Sequence, residues 1–453
     1  MFDLQSYLKL VKEASPEDLV YIDVPIDPYL ELSAFVAKLA AQNKRPVIVF
    51  RRVKGTDYPV VTNVTATRKR LALALGVTPE KLLERYVEAI IHPLEPVIVE
   101  TGPVFHEIFS EESVDLLQLP QITHHMGDCA PYFTGGIVFC KDHDTGKYNA
   151  SFNRLMIKDR RHAVIHLTPH KHLWHSYIKM EKKGKPLEVA ILIGVHPALA
   201  LGALYIGGME DDELGVMGGL IGEPVPVAPC KTIDLKVPIW GEILLEAEIL
   251  PNQRAEEGPF GEFTGYAIGK RLREMVEIKA LCQRERPLFY DISVGQWDHL
   301  ILSTLPMEAS LFVHLKNAVP TLKAVRIPAP FTAFISLENV TPGIANSAII
   351  AAFNADMYMK NVIVVDEDID IYDTSRVLWA VATRCQPMRD VVILPNMRGS
   401  DLDPSCVTDG FTSKIGIDAT ANPSLRECPS LSTFPRELMD RLKPEELLTE
   451  GRN

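Results

Sequence analysis

The segment Arg254-Ala255-Glu256-Glu257-Gly258-Pro259-Phe260-Gly261-Glu262-Phe263-Thr264-Gly265-Tyr266 sets Glu257 and Glu262 at the two ends of a turn, among three aromatic rings. Glycine and proline make the chain reverse there. Rings strip water from a carboxylate and lift its proton affinity toward the range in which it delivers a proton. Taken alone, the turn reads first as a surface hairpin with solvated acids. A second constellation is Asn149-Ala150-Ser151-Phe152-Asn153-Arg154-Leu155-Met156-Ile157, a strand-like run holding an amide and a guanidinium. A half-buried guanidinium needs a partner. Asn149 and Arg154 are an odd offset apart, which puts them on opposite faces of a regular strand. Either a bulge intervenes or the two serve adjoining compartments.

Histidines 162, 166, 170, 172 and 175, followed by Glu210-Asp211-Asp212-Glu213, offer ligands for an ion. Imidazole, carboxylate and amide oxygen together suit Mn²⁺ or Mg²⁺ better than structural zinc. His162, His166 and His170 repeat at helical spacing and imitate a zinc site, but Pro169 interrupts the helix that such a site needs. Each histidine also reads as an ordinary structural one. Finally, Val362-Ile363-Val364-Val365 runs out into Asp366-Glu367-Asp368, and the C-terminal ends of such strands are where α/β sheets place ligands. Lys360, at the strand entrance, either meets an anionic ligand or sits in solvent.

The elements that position these residues change character along the chain. Up to about residue 105, helix-like and strand-like segments alternate: Leu4, Tyr7, Leu8 and Val11 at helical spacing, a strand over 19–24, a helix over 29–41 and a strand over 46–50. From 106 to about 310 the runs are strand-like, at 136–140, 148–157, 187–193, 243–250 and 274–280, as in a barrel or sandwich. After that the alternation returns, with helices over 307–318, 343–355 and 374–384 and strands over 362–365 and 391–394. A charged helix is expected over 434–449, a candidate contact between subunits. The order is α/β over 1–105, β over 106–310 and α/β over 311–453.

The 453 residues are 47% hydrophobic and 23% charged, an ordinary globular composition. A net charge of −12 excludes a nucleic-acid partner, since phosphate backbones are held by clustered Lys and Arg. Seven cysteines, odd in number and never paired as C-x-x-C, read as reduced thiols of a cytoplasmic protein. Asp3, Lys9, Lys12 and Glu13 leave no signal-peptide core near the start. The uncharged stretch 190–208 approaches membrane-span length but divides at His196-Pro197 into a buried strand and a helix, so no membrane span is expected.

Taken together, the run from Leu119-Pro120 through Gly146, Asn149 and Arg154, then His196-Pro197-Ala198-Leu199, Glu257-Gly258-Pro259-Phe260-Gly261-Glu262, Lys360 with Val364-Val365-Asp366, and Trp379 through Arg384-Cys385-Gln386-Pro387 resembles the UbiD family of reversible decarboxylases. The resemblance covers nearly the whole chain in order. It implies an N-terminal α/β domain, a central split β-barrel flavin-binding domain and a C-terminal α/β domain with a terminal helix. It implies prenylated FMN supplied by a UbiX-type flavin prenyltransferase, a divalent ion, usually Mn²⁺, a K⁺ ion, and a homo-oligomer. Carried over by position, it assigns Arg154, Glu257 and Glu262 as catalytic and Asn149, His172 and Glu213 as metal ligands, with His170 and His175 as neighbours competing for the histidine role. Ser151, Lys171 and Lys360 join these on the cofactor side, Lys360 toward the flavin phosphate. After the His-Pro-Ala-Leu helix, where many relatives carry a proline-rich loop, this chain has Tyr205-Ile206-Gly207-Gly208-Met209.

Loss of CO₂ from an sp² carbon needs an electron sink that no side chain provides, which the implied flavin would supply. Trp297 and His299 suit a flat ring with a polar substituent, although Trp297 reads equally as core. The leading expectation is decarboxylation of an aromatic or heteroaromatic acid such as a hydroxybenzoate, furoate or pyrrole carboxylate. The alternatives are an aliphatic α,β-unsaturated acid, phosphorylated or not, a flavin-binding accessory protein without turnover, and a metal hydrolase using the histidines.

Overall fold

The computed structural model describes residues 2–169, 171–208, 210–406, 410–421 and 434–443. Asp3 caps the first helix, Leu4–Ala14, by accepting from Ser6 N at 2.7 Å, and Leu4, Tyr7, Leu8 and Val11 are its buried face. Strand Leu19–Ile22 runs parallel to Val47–Phe50, which pairs antiparallel with Val60–Thr62. The edge of this sheet is Phe289–Tyr290, brought back from far along the chain to lie parallel to Val60–Thr62. That return ties the N-terminal sheet to the segment that follows the central strands.

The central layer is a nine-stranded sheet whose pairings are all antiparallel. Its spine is the pair Ile243–Glu257 and Arg271–Gln283, of 15 and 13 residues, both longer than the sequence pattern predicts. Alternation fades beyond residue 250, where one face becomes polar and exposed, yet the ladder continues to Glu257 paired with Arg271. Register shifts between Glu246 and Ala247 and between Ile249 and Arg254 bend the strand on the way. The strand expected over 148–157 is two strands. Tyr148–Phe152 pairs with Gly136–Lys141 at one end of the strand order, and Leu155–Ile157 pairs with His162–Ile165 near the other. Asn153 and Arg154 lie at the crossing.

The uncharged stretch 190–208 divides as its sequence predicts. Strand Leu187–Ile193 is followed by helix Pro197–Gly202, capped by the His196 side chain accepting from Ala198 N at 3.2 Å. No helix among the described residues is long and apolar enough to cross a membrane.

The C-terminal layer is a five-stranded mixed sheet in the order Leu322–Ala329, Thr332–Leu337, Asn361–Asp366, Phe411–Asp418, Val391–Arg398. A 22-residue helix, Trp297–Ala318, joins it to the rest: Leu302, Leu305 and Ala309 pack in the large core and Leu311 and Leu315 in the next. Its first ten residues escaped the sequence reading because Pro306 lies inside the helix and reads as a breaker. Of the expected terminal helix, Arg436–Arg441 is described, and residues 444–449 lie outside the described residues. The whole is a mixed α/β multidomain architecture.

Candidate active site

The turn at Glu257 is built by a left-handed Gly258 (φ 90°), where an added Cβ would come within 3.0 Å of Gly269 O. Phe260-Gly261 then pairs with Ala267-Ile268, closing a loop in which Glu262 N donates to Tyr266 O at 2.9 Å. Gly261 N donates to Asp128 Oδ1 at 2.9 Å, which fixes the loop to the segment before strand Tyr132–Phe133. The acids are not solvated: Glu257 is 2% and Glu262 8% exposed, which replaces the surface-hairpin reading.

Arg154 is what they surround. Its Nε donates to Glu257 Oε1 at 2.8 Å and its Nη2 to Glu257 Oε2 at 3.2 Å, while Nη1 donates to Glu262 Oε1. The guanidinium also lies over the Phe260 ring, 4.6 Å from its centroid. Burial raises the proton affinity of Glu262 above the usual carboxylate range, and the Arg154 charge and hydrogen bond oppose it. A guanidinium has five N–H donors and three are engaged here, leaving two, one on each Nη, for an incoming carboxylate.

Arg154 and Glu262 wall a cavity of about 320 Å³ together with Phe152, Phe263, Val294 and His299. A second cavity of about 280 Å³ is lined by Asn149, Ser151, Lys171, His172 and Glu213. Both are bounded by Phe152, Asn153, Thr168, Leu204 and Ser303. The odd offset between Asn149 and Arg154 therefore resolves as two adjoining compartments, because the strand ends between them.

In the second compartment Asn149 Nδ2 donates to Glu213 Oε1 at 2.8 Å, and His172 Nδ1 is 3.8 Å from the same oxygen. Strand Tyr148–Phe152 supplies the amide, and the first residues of helices His172–Lys182 and Glu213–Ile221 supply the other two. Asn149 Oδ1 and Glu213 Oε2 are buried with no hydrogen-bond partner. Burial pushes the Glu213 carboxyl up to about 8, and burial with Lys171 and His175 nearby keeps His172 below its usual range. Two unmatched oxygens beside a neutral imidazole fit a hard divalent cation. The helical zinc reading fails, because His162 begins strand His162–Ile165 and bonds Asp159, while His166 lines the first cavity and His170 lies outside the described residues. Among the described residues no group of three or more His, Cys, Asp and Glu gathers as a metal site, which leaves the asparagine-containing trio.

Three candidates sit apart from this core. Ser151 faces the second cavity but its hydroxyl donates to Asn153 Oδ1 at 2.9 Å. Lys360 donates to Asp403 Oδ2 at 2.7 Å and to Ser405 Oγ, and lines neither cavity. Trp297 lies under the Arg45 guanidinium, 3.5 Å from its centroid, outside both linings. His299 does face the first cavity, and burial pushes it down to about 4.

Sequence reasoning missed Arg271, Arg273 and Tyr358, which also line the first cavity. The signal for the arginines was present: a hairpin folding back from Glu257 must place the residues around 271 across from it. His166 was noticed only as a possible ligand. Burial and the charges of Arg154, Arg273 and Arg271 push it down to about 2.

A guanidinium clamped by buried carboxylates, with donors left over, has the chemistry to receive a further carboxylate. Residues 12–90, 96–297 and 301–419 match the N-terminal, Rift-related and C-terminal domains of 3-octaprenyl-4-hydroxybenzoate carboxy-lyase, the UbiD profiles. The anhydromevalonate phosphate decarboxylase of Methanothermobacter thermautotrophicus is 32% identical over 400 residues, spanning 87% of this chain and 93% of that one. The chain belongs to the UbiD family and is a UbiD-class decarboxylase. Among solved structures, the UbiD-class enzyme HmfF of Pelotomaculum thermopropionicum in complex with FMN superposes with a TM-score of 0.92 at 37% identity, covering 98% of this chain and 99% of that one. An evolved dimeric form of HmfF, in complex with prFMN, superposes at 0.88 with 35% identity, covering 98% and 100%. The 3,4-dihydroxybenzoic acid decarboxylase of Enterobacter cloacae superposes at 0.90 with 28% identity, covering 99% of each chain.

Proposed function

We propose that this chain carries out the reversible, non-oxidative decarboxylation of an aromatic or heteroaromatic acid with prenylated FMN, and that Arg154, Glu257 and Glu262 do the protein's share of the chemistry. The observation that carries the reading is Arg154 held by both carboxylates at the wall of a cavity lined by Phe152, Phe260, Phe263 and His299. When bound, the flavin supplies the electron sink for the carbon that loses CO₂. Glu257 fixes the plane of Arg154 through two hydrogen bonds, so that the free Nη donors present a fork to the substrate carboxylate. As that carboxylate takes up the arginine charge, Glu262 loses part of its counter-ion and its proton affinity rises further. The carboxyl takes up a proton from solvent as the substrate enters and delivers it to the carbon once CO₂ has left, one proton consumed for each CO₂ released. Neutral His299 and the apolar walls keep water from competing for that carbon.

Asn149, His172 and Glu213 hold a divalent ion such as Mn²⁺ in this reading, and Lys171 at the same cavity offsets the charge of the flavin phosphate. A contact from Lys360 to that phosphate requires it to leave Asp403. The prenylated cofactor comes from a UbiX-type prenyltransferase, and the terminal helix Arg436–Arg441 with its flanks, where Phe434, Met439 and Leu442 are exposed, is the surface for a homo-oligomer contact in this reading. A second reading, an aliphatic phosphorylated enoic acid, is favoured by the cations Arg271 and Arg273 in the cavity and by the anhydromevalonate phosphate decarboxylase among the relatives.

The protein is expressed with and without a flavin prenyltransferase, its absorption spectrum and bound-ligand mass are recorded, and CO₂ release is followed over a panel of aromatic and enoic acids. Flavin-dependent CO₂ release from an aromatic acid supports the first reading and release from enoic acids alone the second. A flavin-free protein that turns over no acid removes both.

A further inference from the structure

In the antiparallel pairing of the long strands Glu257 lies across from Arg271 and Ala255 across from Arg273. Residues directly across such a pair share a face, as do residues two apart on one strand. Arg271 and Arg273 therefore stand on the face that carries Glu257, and both line the first cavity with Arg154. One leaving carboxylate engages Arg154, which leaves the other two guanidinium groups to be accounted for.

The three differ in how they are matched. Arg154 has its two glutamates. Arg271 has Asp401 at 3.0 Å, with both side chains about half exposed (48% and 55%), at the cavity rim. The Arg273 side chain has no hydrogen bond or ion pair among the described residues, and its Nε is buried without an acceptor. A buried guanidinium N–H left without an acceptor is costly, and a ligand that brings an anionic oxygen to it removes that cost. Burial first, and the neighbouring Arg271 charge after it, pull the proton affinity of Arg273 below its usual value, while Glu257 and Glu274 act against them from beyond ion-pair distance.

We propose that Arg273, with Arg271 at the rim, forms a subsite for a second anionic group, so that the substrate is a dianion bearing a carboxylate or a phosphate besides the carboxylate that leaves. The proposal rests on the decarboxylase reading of this cavity and narrows its substrate class. It also gives His166 a part: held neutral between these cations, it adds no further positive charge and offers a ring nitrogen, Nδ1, that is buried without a partner. A monoacid would leave Arg273 unmatched, and an uncharged substituent would bury it without an anion.

The test compares terephthalate with its monomethyl ester, and anhydromevalonate phosphate with the unphosphorylated enoic acid, by calorimetric binding to the flavin-loaded protein. In the wild type the dianion of at least one pair binds about 10- to 100-fold tighter than its partner, the worth of a charge-assisted hydrogen bond. Arg273→Gln removes that preference and Arg273→Lys keeps part of it. The pair that shows the preference identifies the anion as carboxylate or phosphate. Equal affinity within both pairs overturns the proposal, as does a preference that survives Arg271→Gln combined with Arg273→Gln, and the wild-type comparison decides the matter even where the glutamine variants fail to fold. Because the readout is binding, a protein that prefers the dianion yet releases CO₂ from no acid contradicts the decarboxylation reading alone.

Discussion

Two compartments share a wall of Phe152, Asn153, Thr168, Leu204 and Ser303 and follow opposite electrostatic plans. In the first, Arg154 is matched in charge and hydrogen bonding by Glu257 and Glu262 before any ligand arrives. In the second, Asn149 Oδ1 and Glu213 Oε2 are buried with nothing to satisfy them, and Glu213 holds its proton far above the usual carboxylate range. The difference teaches a division of labour. Under the proposed function, a preorganised ion network fixes reacting geometry, whereas an oxygen-rich set left unsatisfied suits completion by a cation. Damage to the two should therefore produce different phenotypes.

The largest effect is expected for Arg154→Met. It leaves Glu257 and Glu262 buried side by side without their cation, which costs about 3–5 kcal/mol of stability, and it removes the donors for the substrate carboxylate. Denaturant unfolding should show the loss, and turnover should fall about 10³-fold or more. Full activity in this variant would erase the distinction between the compartments. Glu213→Gln should act on the other side of the wall: divalent-ion affinity, read by titration of the metal-free protein, should fall at least about 10-fold while the Arg154 network stays intact.

A smaller, graded effect follows from pH. His166 and His299 are pushed down to about 2 and about 4, so the folded protein refuses protons that the unfolded chain takes up below pH 6.5. Their depressed proton affinity leaves stability intact above that pH and drains it as pH falls from 6.5 toward 4. The Glu213 carboxyl, pushed up to about 8, acts in the opposite sense as pH falls, so the histidine contribution is read as a difference: the unfolding free energy of the wild type minus that of His299→Asn should fall between pH 6.5 and pH 4. A wild-type-minus-variant difference that is level down to pH 4 would mean that the His299 ring is more open to water than the cavity geometry indicates. The smallest effect is expected for Trp297→Phe, since the ring stacks on Arg45 outside both cavities: kcat/KM should change by less than about 3-fold, within the range of substitutions away from a site.

Much of this was legible in the sequence, for physical reasons that differ from residue to residue. The Gly-Pro turn between Glu257 and Glu262 and the strand Leu187–Ile193 are local patterns that survive folding, whereas the single strand expected over 148–157 is broken at Asn153-Arg154 because its two halves pair with different strands. Whether those acids were solvated was not local: it depended on Arg154, 103 residues from Glu257, and only the family resemblance joined them. Arg271 and Arg273 were overlooked because strand alternation weakens past residue 250, where the two long strands leave the core yet remain paired. The long helix Trp297–Ala318 was read short because a proline inside a helix looks like its end.

The comparison is tested most directly by preparing Glu262→Gln and Glu213→Gln alongside the wild type, each co-expressed with a flavin prenyltransferase, and measuring bound flavin, bound Mn²⁺ and CO₂ release on the same samples. Glu262→Gln should keep flavin and metal at wild-type levels while CO₂ release falls about 10²- to 10⁴-fold, the range for loss of a proton-transfer group. Glu213→Gln should lose metal and flavin together. Unchanged CO₂ release in Glu262→Gln, or full metal and flavin content in Glu213→Gln, would contradict the assignment of proton delivery to one compartment and cofactor anchoring to the other.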